Sequence, residues 1–373
     1  MIRTIGLYGF GACALALALR LLWMRMQLSR AKHRSLTGHS RMARRFAAVV
    51  PFYEYDDAQF FTVDAAPAPI EAKRRAGFMR LAATLAERHR KTAELTASVM
   101  EGISDLQFTT RYRVPFQFSR FVRQHIQAGA FLESSSGVML TDLDGNRMYD
   151  VAGSYGVNLF GYDFYKECIA RGSERVRDLG PVLGAYHPVT AYNVRRLLEI
   201  SGQDEVSFHM SGTEAVMQAV RLARYHTRRS RLVRFCGAYH GWWGDVQPGV
   251  GNPLAARETY TLKDMDEASL RVLESRRDIA CVLVNPVQSM HPNAAAPQDS
   301  TLVDSGRSAH FDRAAYARWL HKLRTVCSAH GIVLIFDEVF VGFRLGIGGA
   351  QEYFGVRADL VTYGLGEHLA PAY

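Results

Sequence analysis

No aspartate or glutamate occurs before Glu54, only six lysines occur in the whole chain, and the five cysteines show no paired spacing. Each shortage excludes something. The acid-free leader holds nine basic residues (Arg3, Arg20, Arg25, Arg30, Lys32, Arg34, Arg41, Arg44 and Arg45), and setting them aside leaves 36 basic against 36 acidic residues. The formal net charge of +9 therefore belongs to the first 53 residues, and the balanced remainder excludes a basic, nucleic-acid-binding body. Cys13, Cys168, Cys236, Cys281 and Cys327 are odd in number and contain no CxxC, which argues against a disulfide framework and for small core thiols in a reducing compartment. What is present is an ordinary globular composition, 48% hydrophobic and 22% charged over 373 residues, enough for one large domain or two smaller ones.

The leader reads as a hydrophobic helix. Residues 4–19 carry no charge, and after Arg20 the run Leu21 to Met24 extends the segment to the roughly 20 residues that span a bilayer. Seven of the nine basic residues follow Met24, a bias that keeps the body on the cytoplasmic face of a membrane anchored through 4–24. A cleaved signal peptide, an organelle presequence and an interfacial helix are the competing readings of the same composition, and a cytoplasmic chain without an anchor stays open.

Three regions follow: the leader 1–53, a linker and helical extension 54–111, and a body 112–373. Residues 70–105 have helical spacing, and Asp144-Gly145-Asn146 between β-rich runs reads as a hairpin turn. From about 190 the apolar runs 206–210, 231–236, 279–285 and 331–339 alternate with helical stretches such as 213–227 and 312–330. That alternation predicts an α/β fold with a mostly parallel sheet and flanking helices, in which ligands collect at the carboxyl ends of the strands.

The residues just after those runs carry the chemistry. Ser211 and Glu214 have capping-box spacing, and Gly212 and Thr213 present backbone N–H groups and a hydroxyl at the positive end of a helix, which reads as a phosphate seat or as a plain cap. Gly237-Ala238-Tyr239-His240-Gly241 brackets an aromatic ring with glycines, suited to a flat ligand or to core packing; Trp242 and Trp243 read as packing. Asp337 ends a fully apolar run, where a carboxylate needs a cationic partner, and Val339 offers an apolar wall. The helix-cap or ion-pair reading stays open for Asp337.

Together SGTEA, GAYHG, LIFDEVFVGFR and GGAQEYFGVRADLVTYG closely resemble class III, fold type I pyridoxal-phosphate aminotransferases, and the wording GSYG, SGTEAVMQAVRLAR and GGAQEYFGV is most similar to the glutamate-1-semialdehyde aminomutase branch. The resemblance covers about 112–364. It implies pyridoxal 5'-phosphate as cofactor, with Ser211, Gly212 and Thr213 on its phosphate, Tyr239 stacked on its ring with His240 beside it, Asp337 on the ring nitrogen and Val339 on the opposite face. It implies Tyr155 near the substrate and Arg120 as a contact for a substrate carboxylate. A small amino or semialdehyde carboxylic acid as substrate and a homodimer are implied as well; no metal and no nucleic acid are expected.

Two positions depart from the family. The family places the lysine that forms the Schiff base directly after DLVTYG, whereas Leu365 stands there in this chain, and the last lysine is Lys322. Leucine can neither anchor a cofactor covalently nor carry a proton. Together with nine unrelated final residues and the absence of the family's C-terminal small domain, this predicts a truncated chain with impaired turnover, or a non-catalytic remnant that binds cofactor weakly or pairs with a complete subunit. The second departure is Asn285-Pro286-Val287-Gln288, where the family commonly has a glutamate before the proline.

Overall fold

The computed structural model describes residues 2–32, 59–62, 65–107, 116–127, 129–156, 158–180, 182, 184–236, 238–246, 258–287 and 312–364. They form two compact units, one of residues 44–171 and one that joins 1–43 to 172–373.

In the 44–171 unit the helical spacing of 70–105 becomes two helices, Ala68–Arg88 and Arg90–Val99, broken at His89. An antiparallel sheet follows, of β1 (Leu132–Ser136), β2 (Met139–Asp142) and β3 (Arg147–Tyr149). The turn falls at Asp144-Gly145-Asn146 as predicted, with Gly145 at φ 81° supplying the left-handed backbone. Asp142 pins it: Oδ1 accepts the N–H groups of Asp144 (3.0 Å) and Asn146 (2.8 Å). Burial works against the Asp142 carboxylate, yet hydrogen bonds from Asn146 and His89 overcome it and bring its pKa down to about 2.

The other unit is built on a parallel sheet in the order β5-β4-β6-β7-β8, from β4 (Arg231–Phe235), β5 (Thr259–Leu262), β6 (Ile279–Val284), β7 (Val333–Glu338) and β8 (Leu360–Tyr363). Every residue of β6 is buried, as a central parallel strand covered on both faces requires. The helices Gly212–Thr227, Glu267–Ser275 and Arg313–His330 bury apolar stripes through Val216 and Val220, Leu270 and Leu273, and Leu320 and Leu323. Each opens on a side-chain cap (Ser211, Asp266 and Asp312).

Three expectations need correction. The run 206–210 is not a strand: no described strand pairs with it, and without a ladder its backbone gains nothing from extension, so Met210 stands 89% exposed. Conversely, β5 was not among the predicted runs, because its four residues, Thr-Tyr-Thr-Leu, lack a continuous apolar signature. Of the cysteines only Cys281 and Cys327 are core thiols, with burial pushing both pKa values up to about 12; Cys13 is exposed and Cys168 and Cys236 are half-buried.

The hydrophobic leader is one helix, Ile2–Ala31, and Gly11–Ala31 has a mean hydropathy of 1.2.

Candidate active site

The carboxyl end of the parallel sheet gathers the predicted residues from three separate segments. Ser211 takes extended backbone (φ −149°, ψ 158°) and caps the helix Gly212–Thr227, its hydroxyl accepting the Glu214 N–H at 3.2 Å while the Glu214 carboxylate accepts the Met210 N–H at 3.0 Å. This reciprocal box orients the first turn, whose leading N–H groups have no acceptor within the helix. The hydroxyl of Ser211 accepts in the cap and keeps its O–H to donate, so that hydroxyl and the backbone N–H groups of Gly212 and Thr213 are what the helix end offers to an anion.

Glycines bring the other segments against that helix end. A Cβ on Gly212 would lie 2.7 Å from Val339 Cγ1, and one on Gly241 (φ 82°) would lie 2.5 Å from Thr213 Oγ1. A Cβ on Gly364 would meet the Val339 carbonyl oxygen at 2.4 Å. Val339 is therefore held between two backbones that only glycine allows so close.

Between these pieces sits a hydrogen-bonded couple. His240 Nδ1 and Asp337 Oδ2 are 2.7 Å apart, and both side chains are buried. The second carboxylate oxygen accepts the Val339 N–H and the Thr362 hydroxyl, each at 3.2 Å. Asn285 donates through Nδ2 to the Asp337 carbonyl at 3.1 Å. Tyr239, next to His240, is 42% exposed, its ring 6.2 Å from that of Phe340. Glu338 points away from Asp337 into the protein, where burial pushes its pKa up to about 7 although its Oε2 accepts the Ala350 N–H at 2.8 Å.

Ser211, Gly212, Thr213, His240, Asp337 and Val339 thus share one neighbourhood, and Tyr239 borders it. Arg120 is an exposed residue of the helix Phe116–His125 in the 44–171 unit, to which Tyr155 belongs as well. The side chain of Tyr155, and Gln288 and Leu365, lie outside the described residues. Lys322 is an exposed helix residue paired with Glu267 at 2.6 Å. Trp242, expected as packing, is 75% exposed, whereas Trp243 is half-buried and donates to the His240 carbonyl.

Thr362 was missed. Its signal was available in the register: Asp337 and Thr362 end neighbouring parallel strands and are paired partners, so a hydroxyl in that position faces the carboxylate. Asn285, read only as a departure, is a structural neighbour of Asp337 as well.

A parallel sheet flanked by capped helices, with a helix N-terminus, an aromatic and a carboxylate at the carboxyl ends of its strands, defines a fold type I pyridoxal-phosphate transferase domain. The chain belongs to the class-III aminotransferase family, whose model matches residues 121–367. It is 34% identical over 251 residues to a glutamate-1-semialdehyde 2,1-aminomutase of Alkaliphilus oremlandii (strain OhILAs), covering 63% of this chain and 54% of that protein. Among solved structures it is similar to a transaminase with PLP bound, at 30% identity and a TM-score of 0.51, covering 63% of this chain and 54% of the other. A glutamate-1-semialdehyde aminomutase from Pseudomonas aeruginosa PAO1 shares the fold, with a TM-score of 0.61 at 19% identity over 79% of this chain and 62% of the other. The chain spans about half the length of the curated relatives it matches.

The residues present fit the family's cofactor, pyridoxal phosphate. His240 Nε2 and Asn285 Oδ1 are buried polar atoms without a hydrogen-bond partner among the described residues, and both belong to side chains bonded to Asp337. Beside Asp337 they leave hydrogen-bonding capacity that a polar ligand can take up.

Proposed function

We propose that this chain builds the pyridoxal-phosphate pocket of an aminotransferase or 2,1-aminomutase, for an amino or semialdehyde carboxylic acid, with turnover impaired by Leu365. The observation that carries the pocket is the convergence of the Gly212–Thr213 helix end, His240, Asp337 and Val339. When bound, the cofactor supplies an electron sink for the carbanion at the substrate carbon. The protein's part is positioning. The Ser211 hydroxyl and the N–H groups of Gly212 and Thr213 bind the phosphate, Asp337 holds the ring nitrogen, and His240 and Thr362 fix the Asp337 carboxylate. Tyr239 and Val339 take the two faces of the ring, and Tyr155 and Arg120 remain the candidates for the substrate.

The aminomutase reading is supported by the 34% identity to the Alkaliphilus protein. A lysine in the place of Leu365 would hold the cofactor and shuttle the proton; leucine has no group to do either. The impaired-turnover reading therefore rests on that one side chain. The decisive experiment is a titration of the full chain with pyridoxal phosphate, followed by absorbance and tyrosine fluorescence, beside an assay with glutamate-1-semialdehyde. Saturable binding without turnover is the expected result; no binding overturns the pocket, and turnover at the rate of an ordinary family member overturns the impairment.

A second element of the proposal is location. The helix Ile2–Ala31 is read as an anchor in a membrane with the sheet unit on the cytoplasmic face, supported by its apolar composition and the basic residues that follow Met24. Flotation of the full chain with vesicles tests it.

A further inference from the structure

The helix Ile2–Ala31 changes character along its length. From Gly11 to Trp23 every residue is exposed, with Leu15, Leu17, Leu19, Leu21 and Leu22 each more than half so. Beyond Trp23 one side of the helix becomes covered: Met24, Gln27 and Leu28 in part, and Ala31 fully. Steps of three and four residues place those side chains on a single face. Arg25 and Arg30 remain exposed.

That covered face is seated on the sheet unit. Ala31 is a member of the buried cluster that contains Leu262, Ala268, Leu270 and Val272, and Leu28 packs against the same cluster. The Ala31 carbonyl, one of the acceptors that a helix end leaves unused, accepts the Lys263 N–H at 2.8 Å. The receiving turn is itself braced. Asp266 caps the helix Glu267–Ser275 through the Ala268 N–H at 2.7 Å, and the Ser269 hydroxyl donates to the Lys263 carbonyl at 2.8 Å. A segment that contributes a fully buried residue to the core is part of the folded unit, which a removable leader is not.

The part of the helix ahead of the covered face has the dimensions of a bilayer. Ile2 to Trp23 measures about 33 Å at the helical rise, against about 30 Å of hydrocarbon. Residues 4–19 carry no charge on any side and so have no polar face with which to lie flat on a surface, while Arg20, near the end of the span, is long enough to reach the headgroup layer. Trp23 stands at the junction, and Arg25 and Arg30 follow it on the solvent side, as an anionic headgroup layer favours.

We propose that Ile2–Trp23 crosses a lipid bilayer while Met24–Lys32 is a rigid strut docked on the sheet unit, so that the anchor fixes the stand-off and orientation of the pocket. This rests on the anchor reading given above. Because Lys263 directly follows β5 in a parallel sheet, the strut joins the same end of the sheet that carries Tyr239, Asp337 and Val339. Anchor and pocket are then related by packed structure, with no flexible tether between them.

The test uses the full chain in vesicles of phosphatidylcholine and phosphatidylglycerol. Flotation reports the anchor, and hydrogen–deuterium exchange reports the docking. With the strut docked, the Lys263 amide and the 268–273 peptide exchange slowly. Ala31→Asp speeds both at least tenfold, and Ser29→Asp, on the exposed side, leaves them unchanged. Leu28→Ala, too small a change to unfold the sheet, moves them the same way by less. A chain that floats but exchanges at these sites identically in wild type, Ala31→Asp and Leu28→Ala overturns the strut and leaves the anchor standing. A chain that does not float overturns the anchor reading and the strut with it.

Discussion

His240 Nδ1 lies 2.7 Å from Asp337 Oδ2, with the histidine side chain wholly buried and its Nε2 without a partner among the described residues. The aspartate is thus held from three directions, by His240, Thr362 and the Val339 N–H. Loss of a hydrogen bond to a charged group costs about 1.5–3 kcal/mol, so Asp337→Ala is expected to weaken pyridoxal-phosphate binding by roughly 10- to 100-fold. His240→Ala, which frees the carboxylate without removing it, should weaken binding by less. Fluorescence titration of both variants, with circular dichroism to confirm folding, checks the order.

The two glycines around Val339 make a steric prediction. Gly212→Ala and Gly364→Ala each insert a Cβ well inside contact distance of Val339, and in the second case the clash is with backbone that cannot rotate away. Overpacking of this kind costs about 1–3 kcal/mol. Gly364→Ala should be the more destabilising, read as the denaturant midpoint. Equal stability of Gly364→Ala and wild type would mean that Val339 is not clamped.

Glu338 makes the sheet unit sensitive to pH. Its pKa rises from an ordinary 4.5 when unfolded to about 7 when folded, because burial disfavours the charge. The folded state therefore binds more protons than the unfolded state between those values. Its contribution is fully present below about pH 4.5 and is lost as pH rises through about 7, a change on the order of 3 kcal/mol. Unfolding of Glu338→Gln, followed by urea titration from pH 4 to 8, should lack that decline.

Leu365 can be tested by restoring the family residue. Leu365→Lys is expected to give a protein that borohydride fixes covalently to pyridoxal phosphate, visible as a mass increase on the peptide that contains residue 365. The unchanged chain should show none on that peptide. Fixation at residue 365 absent from both proteins would argue against the family alignment of the segment after Gly364.

Much of the site was legible because its parts are local. The capping box at Ser211, the glycines around Tyr239 and the carboxylate ending an apolar strand each announce themselves within five residues. Thr362 was not, because its role comes from the β7 to β8 register, which couples residues 25 apart in the chain. The strand β5 escaped because packing against β4 holds a sequence with weak apolar character. The run 206–210 shows the converse: strand-like composition does not make a strand where no ladder is present. Nor could composition reveal that Ala31, at the end of a membrane-like helix, is a core residue.

The pocket draws on residues from 211 to 364, joined through a parallel sheet in which every neighbouring pair of strands needs a long crossover. Such pairings pay their loop-closure entropy before any contact rewards them, which makes them late events in folding. Asp337 acquires its Thr362 bond, and Val339 its second glycine, only when β8 joins the sheet edge. The pocket therefore exists only in chains in which β8 has paired with β7, and cofactor added during refolding should raise the yield of the native sheet without hastening its formation.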